Sequence, residues 1–224
     1  MVSESWGMPF GQVKRQGSGQ QLSAGIAYDW YLALAEELER PLEQRVRSRR
    51  RQEAALLAHE VDVFCLVRPD WLSKKVSTAL QWASQPLMAA EDRIVAAPGV
   101  PVPSSLDVLR GQTLGTVLGF VYPSLEAGFA AGHLSREDAP NETALAAKLL
   151  RGHNRYGVLK TLDARYQQRS QPAAMALGIS AIVVANAPLF CALAPQARIS
   201  LAELEAAQAS LLRRGEMTRI LAKY

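Results

Sequence analysis

Apolar and polar positions along this chain fall into blocks that switch between a helical period and short continuous runs. Ile26 to Leu38 places apolar residues at Trp30, Tyr31, Leu34, Ala35 and Leu38, a spacing that predicts an amphipathic helix. Pro41 stops it. Leu42 to Val46 reads as a strand and Arg49 to His59 as a helix carrying Ala54, Ala55, Leu56 and Leu57. Val61 to Val67 is an apolar run broken only by Asp62, as a buried strand would be. Met1 to Trp6 supplies a short opening strand. The polar stretch Lys14 to Gln21, with Gly17 and Gly19, is a loop or hairpin tip. Two helices alternating with three strands predict a βαβαβ unit, a parallel sheet and right-handed connections.

Arg93 to Ala97 is a further strand, and Pro98-Gly99-Val100-Pro101-Val102-Pro103 is the clearest linker. After it the pattern restarts. Thr113 to Leu118 is a strand, and Tyr122 to Ala131 a helix with Pro123 in its first turn, where proline is tolerated. Asn141-Glu142-Thr143 caps a helix that runs to Leu150. Tyr156 to Lys160 is a strand and Leu162 to Gln168 a short helix. Ser170 to Ala197 carries no charge, a length that could span a membrane. Pro172, Gly178, Asn186, Pro188 and Pro195 interrupt it, so two buried strands with a turn between them explain it better, Phe190 to Leu193 being the second. Leu201 to Leu212 and Glu216 to Ala222 are amphipathic helices separated by Gly215, a C-cap.

Composition narrows this picture only a little. The chain has 224 residues, 49% of them hydrophobic, which suits one globular unit or two small lobes with a real core. Its net charge of +4 fits an anionic ligand, an acidic partner or neither. Arg45, Arg47, Arg49, Arg50 and Arg51 form the only dense basic run. A nucleic-acid patch would fit there, but a solvated strand end leading into a helix fits better. Cys65 and Cys191 lack metal spacing and sit in apolar runs. They read as buried free thiols, a disulfide requiring their strands to lie side by side. Met1 to Ser5 has neither the basic end nor the apolar stretch of a secretion signal, so the chain is either cytoplasmic or the product of signal removal.

A set of phrases runs in order over nearly the whole length: Met8-Pro9-Phe10-Gly11, Gly25 opening a helix, Val61-Asp62-Val63, Ala83-Ser84-Gln85-Pro86-Leu87, Glu91 to Ala97, Leu109-Arg110-Gly111-Gln112, and Leu211 to Tyr224 with Gly215-Glu216-Met217. Together they resemble the type 2 periplasmic solute-binding proteins of the polar amino-acid ABC importers (family 3). The resemblance implies an α/β fold of two lobes, each a mostly parallel sheet flanked by helices, joined by two hinge crossovers. Lobe one would be residues 1–96 and 188–224, and lobe two residues 97–187. It implies a periplasmic protein, its signal removed, that works as a monomer and delivers a small-molecule solute to an ABC transporter permease. No cofactor, metal, nucleic acid or membrane insertion is implied.

In that family the ligand lies between the lobes at the carboxyl ends of the strands, in keeping with open α/β sheets. Position then nominates Trp6, Phe10, Arg68 and Trp71 from lobe one, and Gly119, Phe120, Tyr122, Lys160 and Thr161 from lobe two. The turn from Gly119 to Tyr122 leads into a helix, whose free N–H groups would make an anion site. The chain departs from the amino-acid binders twice. Leu66-Val67-Arg68-Pro69-Asp70-Trp71-Leu72-Ser73-Lys74-Lys75 stands where they carry a Ser/Thr-rich turn ending in a carboxylate-gripping arginine. Thr161, beside Lys160, stands where they carry an aspartate for the ligand's amino group. Arg68 and Lys160 would make a positive cleft flanked by Trp6, Trp71, Phe120 and Tyr122, suited to an anionic solute with an apolar or ring portion. Trp6 and Phe120 also suit core packing, Lys160 a solvated strand end, and Arg93 a structural ion pair.

Enzymes exist on this fold, but His59, His133 and His153 form no catalytic or metal spacing; Asp62 and Asp70 could serve as acids, yet Asp62 sits in what resembles the family's ordinary strand entry, His59-Glu60-Val61-Asp62. A ligand-sensing domain of a receptor or regulator is the alternative reading. A binding protein that has lost its solute and contacts a partner is a third.

Overall fold

A computed structural model of the chain describes all residues except Ser5 and Ser18, and all side chains except those two and Gln16 and Arg49. Ser5 in the expected opening strand, Ser18 in the expected hairpin tip and the Arg49 side chain of the basic run therefore lie outside the described residues. The chain forms two compact units, residues 1–89 with 188–224 and residues 90–187.

Unit 1 begins with β1 (Val2–Ser3), a hairpin of β2 (Gln12–Gln16) and β3 (Gly19–Ala24), and α1 (Ile26–Glu37). Gly25 enters α1 with φ 110, and a Cβ there would stand 2.6 Å from the Gly11 Cα, so both backbone angle and space exclude a side chain. Ile26, Ala27, Trp30, Tyr31 and Leu34 form the buried stripe of α1; of the positions the period predicted, Trp30, Tyr31 and Leu34 are buried and Ala35 and Leu38 half-buried. β4 (Val46–Arg47) pairs in parallel with β1, shorter than the strand expected from Leu42. After α2 (Arg49–Leu57) comes β5 (Val63–Val67), with Phe64 to Val67 buried. The expected three-stranded parallel unit is only partly formed: β5 takes an antiparallel partner, the returning chain described below. A 3-10 turn at Pro69–Trp71, α3 (Lys74–Ala79) and β6 (Gln81–Trp82) complete the first segment.

β7 (Met88–Ala96) carries the chain into unit 2. There follow β8 (Thr113–Val117), α4 (Pro123–Ala130), β9 (Ser135–Ala139), α5 (Glu142–Leu150), β10 (Tyr156–Lys160) and α6 (Thr161–Ser170). The strand order is β7-β10-β8-β9, with β8 parallel to both β9 and β10 and β7 antiparallel to β10. Asn141 caps α5 as its sequence predicts, its Oδ1 accepting from the Ala144 N–H at 2.8 Å. β9 was not foreseen because it is an edge strand of Ser, Arg, Glu and Asp with only Ala139 buried.

β11 (Gly178–Leu193) returns the chain to unit 1. The two strands expected between Ser170 and Ala197 are one strand of 16 residues, and neither Asn186 nor Pro188 ends it. Its last residues pair antiparallel with β5 and β6. Cys191 lies directly opposite Cys65 in that ladder, and the two form a disulfide, not the free thiols expected. α7 (Leu201–Arg213) starts with a capping box between Ser200 and Glu203. Gly215, at φ 73, turns the chain into α8 (Glu216–Lys223). Both helices pack on α1, where Lys223 pairs with Asp29 at 2.8 Å and Arg214 with Glu37.

The disulfide closes a loop of 126 residues that contains all of unit 2. Closing a loop that long restricts the unfolded chain by about 2–5 kcal/mol. Cys65→Ala with Cys191→Ala is expected to lower the unfolding free energy by that amount, seen as a lower denaturant midpoint, with unchanged far-UV circular dichroism. Urea titration of the oxidised protein and the double variant measures it.

Candidate functional site

In unit 1, Arg68 leaves the buried strand β5 in extended conformation and opens the Pro69–Trp71 turn. Its guanidinium donates twice to Asp70, 2.8 Å from Nε to Oδ1 and 2.7 Å from Nη2 to Oδ2. The Asp70 side chain is 60% exposed, so this pair stands in water and stabilises the fold by about 0–1 kcal/mol. An incoming carboxylate could replace Asp70 at small cost. Trp71, at the other end of the turn, leaves 41% of its surface exposed. Trp6 is turned elsewhere: its ring stacks on Phe64, centroids 6.4 Å apart, and packs against the core around Leu56 and Val67. Phe10 is half-buried, and its carbonyl accepts from the Ala27 N–H at 3.0 Å.

In unit 2, β8 gives way at Val117 to a turn. Gly119 there has φ 78 with nothing within 4 Å of its would-be Cβ, so backbone angle alone favours glycine. Leu118 and Val121 on this turn are 67% and 70% exposed, while Phe120 is half-buried and Tyr122 buried. The Phe120 and Tyr122 rings lie 6.4 Å apart. The Tyr122 hydroxyl accepts from the Val117 N–H at 3.3 Å, and burial pushes the phenol up to about 12. The helix start expected to bind an anion already holds one of its own, since Glu126 Oε1 accepts from the Tyr122 N–H at 3.1 Å.

Lys160 ends the buried strand β10 and is itself buried. Its ammonium donates to Glu142 Oε1 at 2.8 Å, lies 4.0 Å from Asp92 Oδ1 and sits 4.5 Å over the Phe120 ring. The register of β10 on β7 sets Asp92 opposite Lys160. The Asn141 cap makes Glu142 the first residue of α5, and α6 brings buried Asp163 in its first turn. Burial pulls the Lys160 ammonium down, but Glu142, Asp163 and Asp92 together hold it above its ordinary value. Burial pushes the Asp163 carboxyl well up and Asp92 up as well, each only partly offset by Lys160. Asp163 is therefore pushed further toward its protonated form than Asp92. Asp163 Oδ2 and Thr161 Oγ1 are buried with no hydrogen-bond partner among the described residues.

Unit 2 thus gathers Phe120, Tyr122, Lys160 and Thr161 about one cluster, and unit 1 gathers Arg68 and Trp71 on one turn. Each of the two cations expected to stand free is instead paired inside its own unit. Sequence reading missed Asp92, Glu142 and Asp163. The available signal was Lys160 itself, because a lysine closing a buried strand requires carboxylates beside it. Among the described residues no group of three or more His, Cys, Asp or Glu side chains could hold a metal ion.

No family model matches the chain, and no curated protein matches it. Solved structures match it end to end. The GluR0 ligand-binding core in complex with L-glutamate has a TM-score of 0.74 at 16% identity, covering 100% of this chain and 96% of that one. The substrate-binding protein of an amino acid ABC transporter has 0.69 at 18%, covering 100% and 96%. A histidine kinase sensor domain similar to periplasmic binding proteins has 0.69 at 21%, covering 100% and 93%. The chain has the two-lobed periplasmic-binding-protein fold, with α/β lobes.

Removing the Lys160 charge strands three carboxyl groups. Lys160→Met is expected to lower stability by about 3–5 kcal/mol at pH 7. The deficit should shrink toward pH 5 as the carboxylates take up protons, which chemical denaturation at both pH values measures. Asp163 has a folded pKa above its unfolded value, so its contribution is complete below about pH 4 and is lost as pH rises through the folded value. Asp163→Asn stays neutral. Its melting temperature, compared with the unsubstituted protein, is expected to gain more at pH 8 than at pH 5.

Proposed function

We propose that the chain is a divergent member of the amino-acid-type ABC importer binding proteins, that it works outside the cytoplasm as a monomer, and that it hands a small polar solute to a permease without chemical change. The observation that carries this is the end-to-end likeness to binding proteins for amino acids, in a chain whose first unit is built from two separated segments. The buried disulfide suits an oxidising compartment. Among the described residues no helix is long and apolar enough to cross a membrane.

The same reading assigns the solute contacts to Arg68 and Trp71 of unit 1 and to Gly119, Phe120 and Thr161 of unit 2. Trp6, Phe10, Tyr122 and Lys160 support them from behind. The solute carries an anionic group that takes the place of Asp70 on Arg68, and an apolar or ring portion that meets Trp71 and Phe120. Lys160 is committed to Glu142 and Asp92 and acts by holding Phe120. A second reading, a ligand-sensing domain of a receptor or regulator, draws on the sensor-domain and GluR0 likenesses. A transmembrane or helix-turn-helix segment elsewhere in the same gene product would decide for it.

A thermal-shift screen of amino acids, dicarboxylates and aromatic acids tests the binding role. A true ligand at about 100 times its Kd adds about 2.7 kcal/mol, a shift of several degrees. For an anionic hit, Arg68→Ala is expected to weaken binding at least tenfold. Asp70→Asn, which frees Arg68, is expected to tighten it. Hits confined to cations, or affinity untouched by Arg68→Ala, overturn the anionic assignment, and a blank screen overturns solute capture.

A further inference from the structure

The arginine run has no part in the function proposed above, yet residues 44–51 hold five arginines and no acid. Two of them, Arg45 and Arg47, line an open groove of about 660 Å³ in unit 1, together with Arg15, Gln20 and Gln44. No acidic residue lines that groove among the described residues. Strand geometry explains the arrangement. Val46 points into the core at 8% exposure, so its neighbours on either side project the opposite way. Arg15 on β2 sits opposite Gln20 on β3, which brings the hairpin to the other side of the groove.

The cations differ in how committed they are. Arg47 is held by Glu60, at 2.6 and 3.1 Å. Arg45 makes two long contacts, to Glu43 at 3.3 Å and to the Gln44 carbonyl at 3.4 Å, and with its side chain and that of Glu43 about half exposed the ion pair has negligible strength. The exposed Arg15 side chain has no hydrogen-bond or ion-pair partner among the described residues. Gln44 Oε1 accepts from the Leu22 N–H at 2.8 Å, which fixes the amide and leaves its own N–H groups to donate.

The adjoining helix carries the same excess. α2 starts two residues after Arg47 with three arginines, no acid in its first turn and no side-chain cap from Ser48. Cations in a first turn oppose the helix dipole, at about 0.3–1 kcal/mol each. A local arrangement unfavourable to the fold, beside a groove without a carboxylate, marks a place where an outside anion completes the charge balance.

We infer that this groove is a second binding site, for a compact polyanion carrying two or more phosphate or carboxylate groups. Arg15 and Arg45 clamp it from the two walls in bidentate fashion, and the Gln20 and Gln44 amides donate between them. Val46 is the one apolar side chain on the wall and the rest is mainly polar, so the ligand needs no apolar body. Either a free small polyanion or an anionic lipid headgroup meets these requirements.

Isothermal titration with inorganic tripolyphosphate tests the site. Binding is expected, and it should weaken as NaCl rises from about 20 to about 200 mM because the clamp is solvent-exposed. The paired variant Arg15→Gln with Arg45→Gln is expected to bind at least tenfold more weakly. Arg110→Gln and Arg213→Gln, which alter exposed arginines elsewhere, should bind as the unsubstituted chain does. Co-sedimentation with vesicles containing phosphatidylglycerol separates the two sources. Retention on vesicles, lost in the paired variant, assigns the headgroup, and tripolyphosphate binding without retention assigns a free polyanion. No binding at millimolar tripolyphosphate, or equal weakening by the paired variant and either control, overturns the inference.

Discussion

The antiparallel pairing of Val63–Val67 with the end of Gly178–Leu193 is the contact on which unit 1 depends. Unit 1 draws its helices from both ends of the chain, and all of unit 2 lies between them. The two segments meet where Phe64, Cys65, Val67, Cys191 and Ala192 are buried. The Tyr31 hydroxyl of the first helix donates to the Met1 carbonyl and accepts from the Cys65 N–H, tying that helix to the same strand. Bringing distant segments together carries a loop-closure penalty that grows slowly with length. Here apolar burial and a covalent link at one register position offset it together.

Unit 2 is organised differently, around charge and not around a crosslink. A single ammonium, Lys160, pairs with carboxylates presented by a strand and by the first turn of one helix, and its charge acts on a third in the first turn of the next. Such a cluster adds little net stability over an apolar replacement, but removing one member leaves the others stranded. Its value is positional. The ammonium fixes the Phe120 ring, and the turn that carries Phe120 leaves Leu118 and Val121 exposed. The polar interior thus sets the shape of an apolar rim.

Helices were the most legible part of the fold, because their period and caps are local. Ile26–Glu37, the Asn141 cap and the Gly215 joint all follow from residues within a turn or two of one another. The strands were legible where they were buried, as at Tyr156–Lys160, and lost at the edge strand Ser135–Ala139, while of the hairpin Gln12–Ala24 only the tip was foreseen, as one of two readings. Proline and asparagine in Gly178–Leu193 imitated a break that the extended backbone accommodates. The cysteine pairing and the Lys160 cluster were hidden for one reason: each joins residues far apart in sequence. Of the candidate site, strand ends could be placed by pattern. Whether a cation there was free or already paired depended on partners that only the folded chain reveals.

The placement of unit 2 within unit 1 also governs the order in which the molecule can be made. Synthesis runs from the amino end, and domains fold as they are completed. Residues 90–187 emerge whole while the first segment of unit 1 still lacks its second half. Until residue 191 has been added, Cys65 has no partner and β5 has an open edge. The nascent chain therefore passes through an interval in which its most apolar strand is exposed and its thiol reactive. A chaperone or oxidase acting on this protein would find its substrate in that interval, before the last helices close over the first.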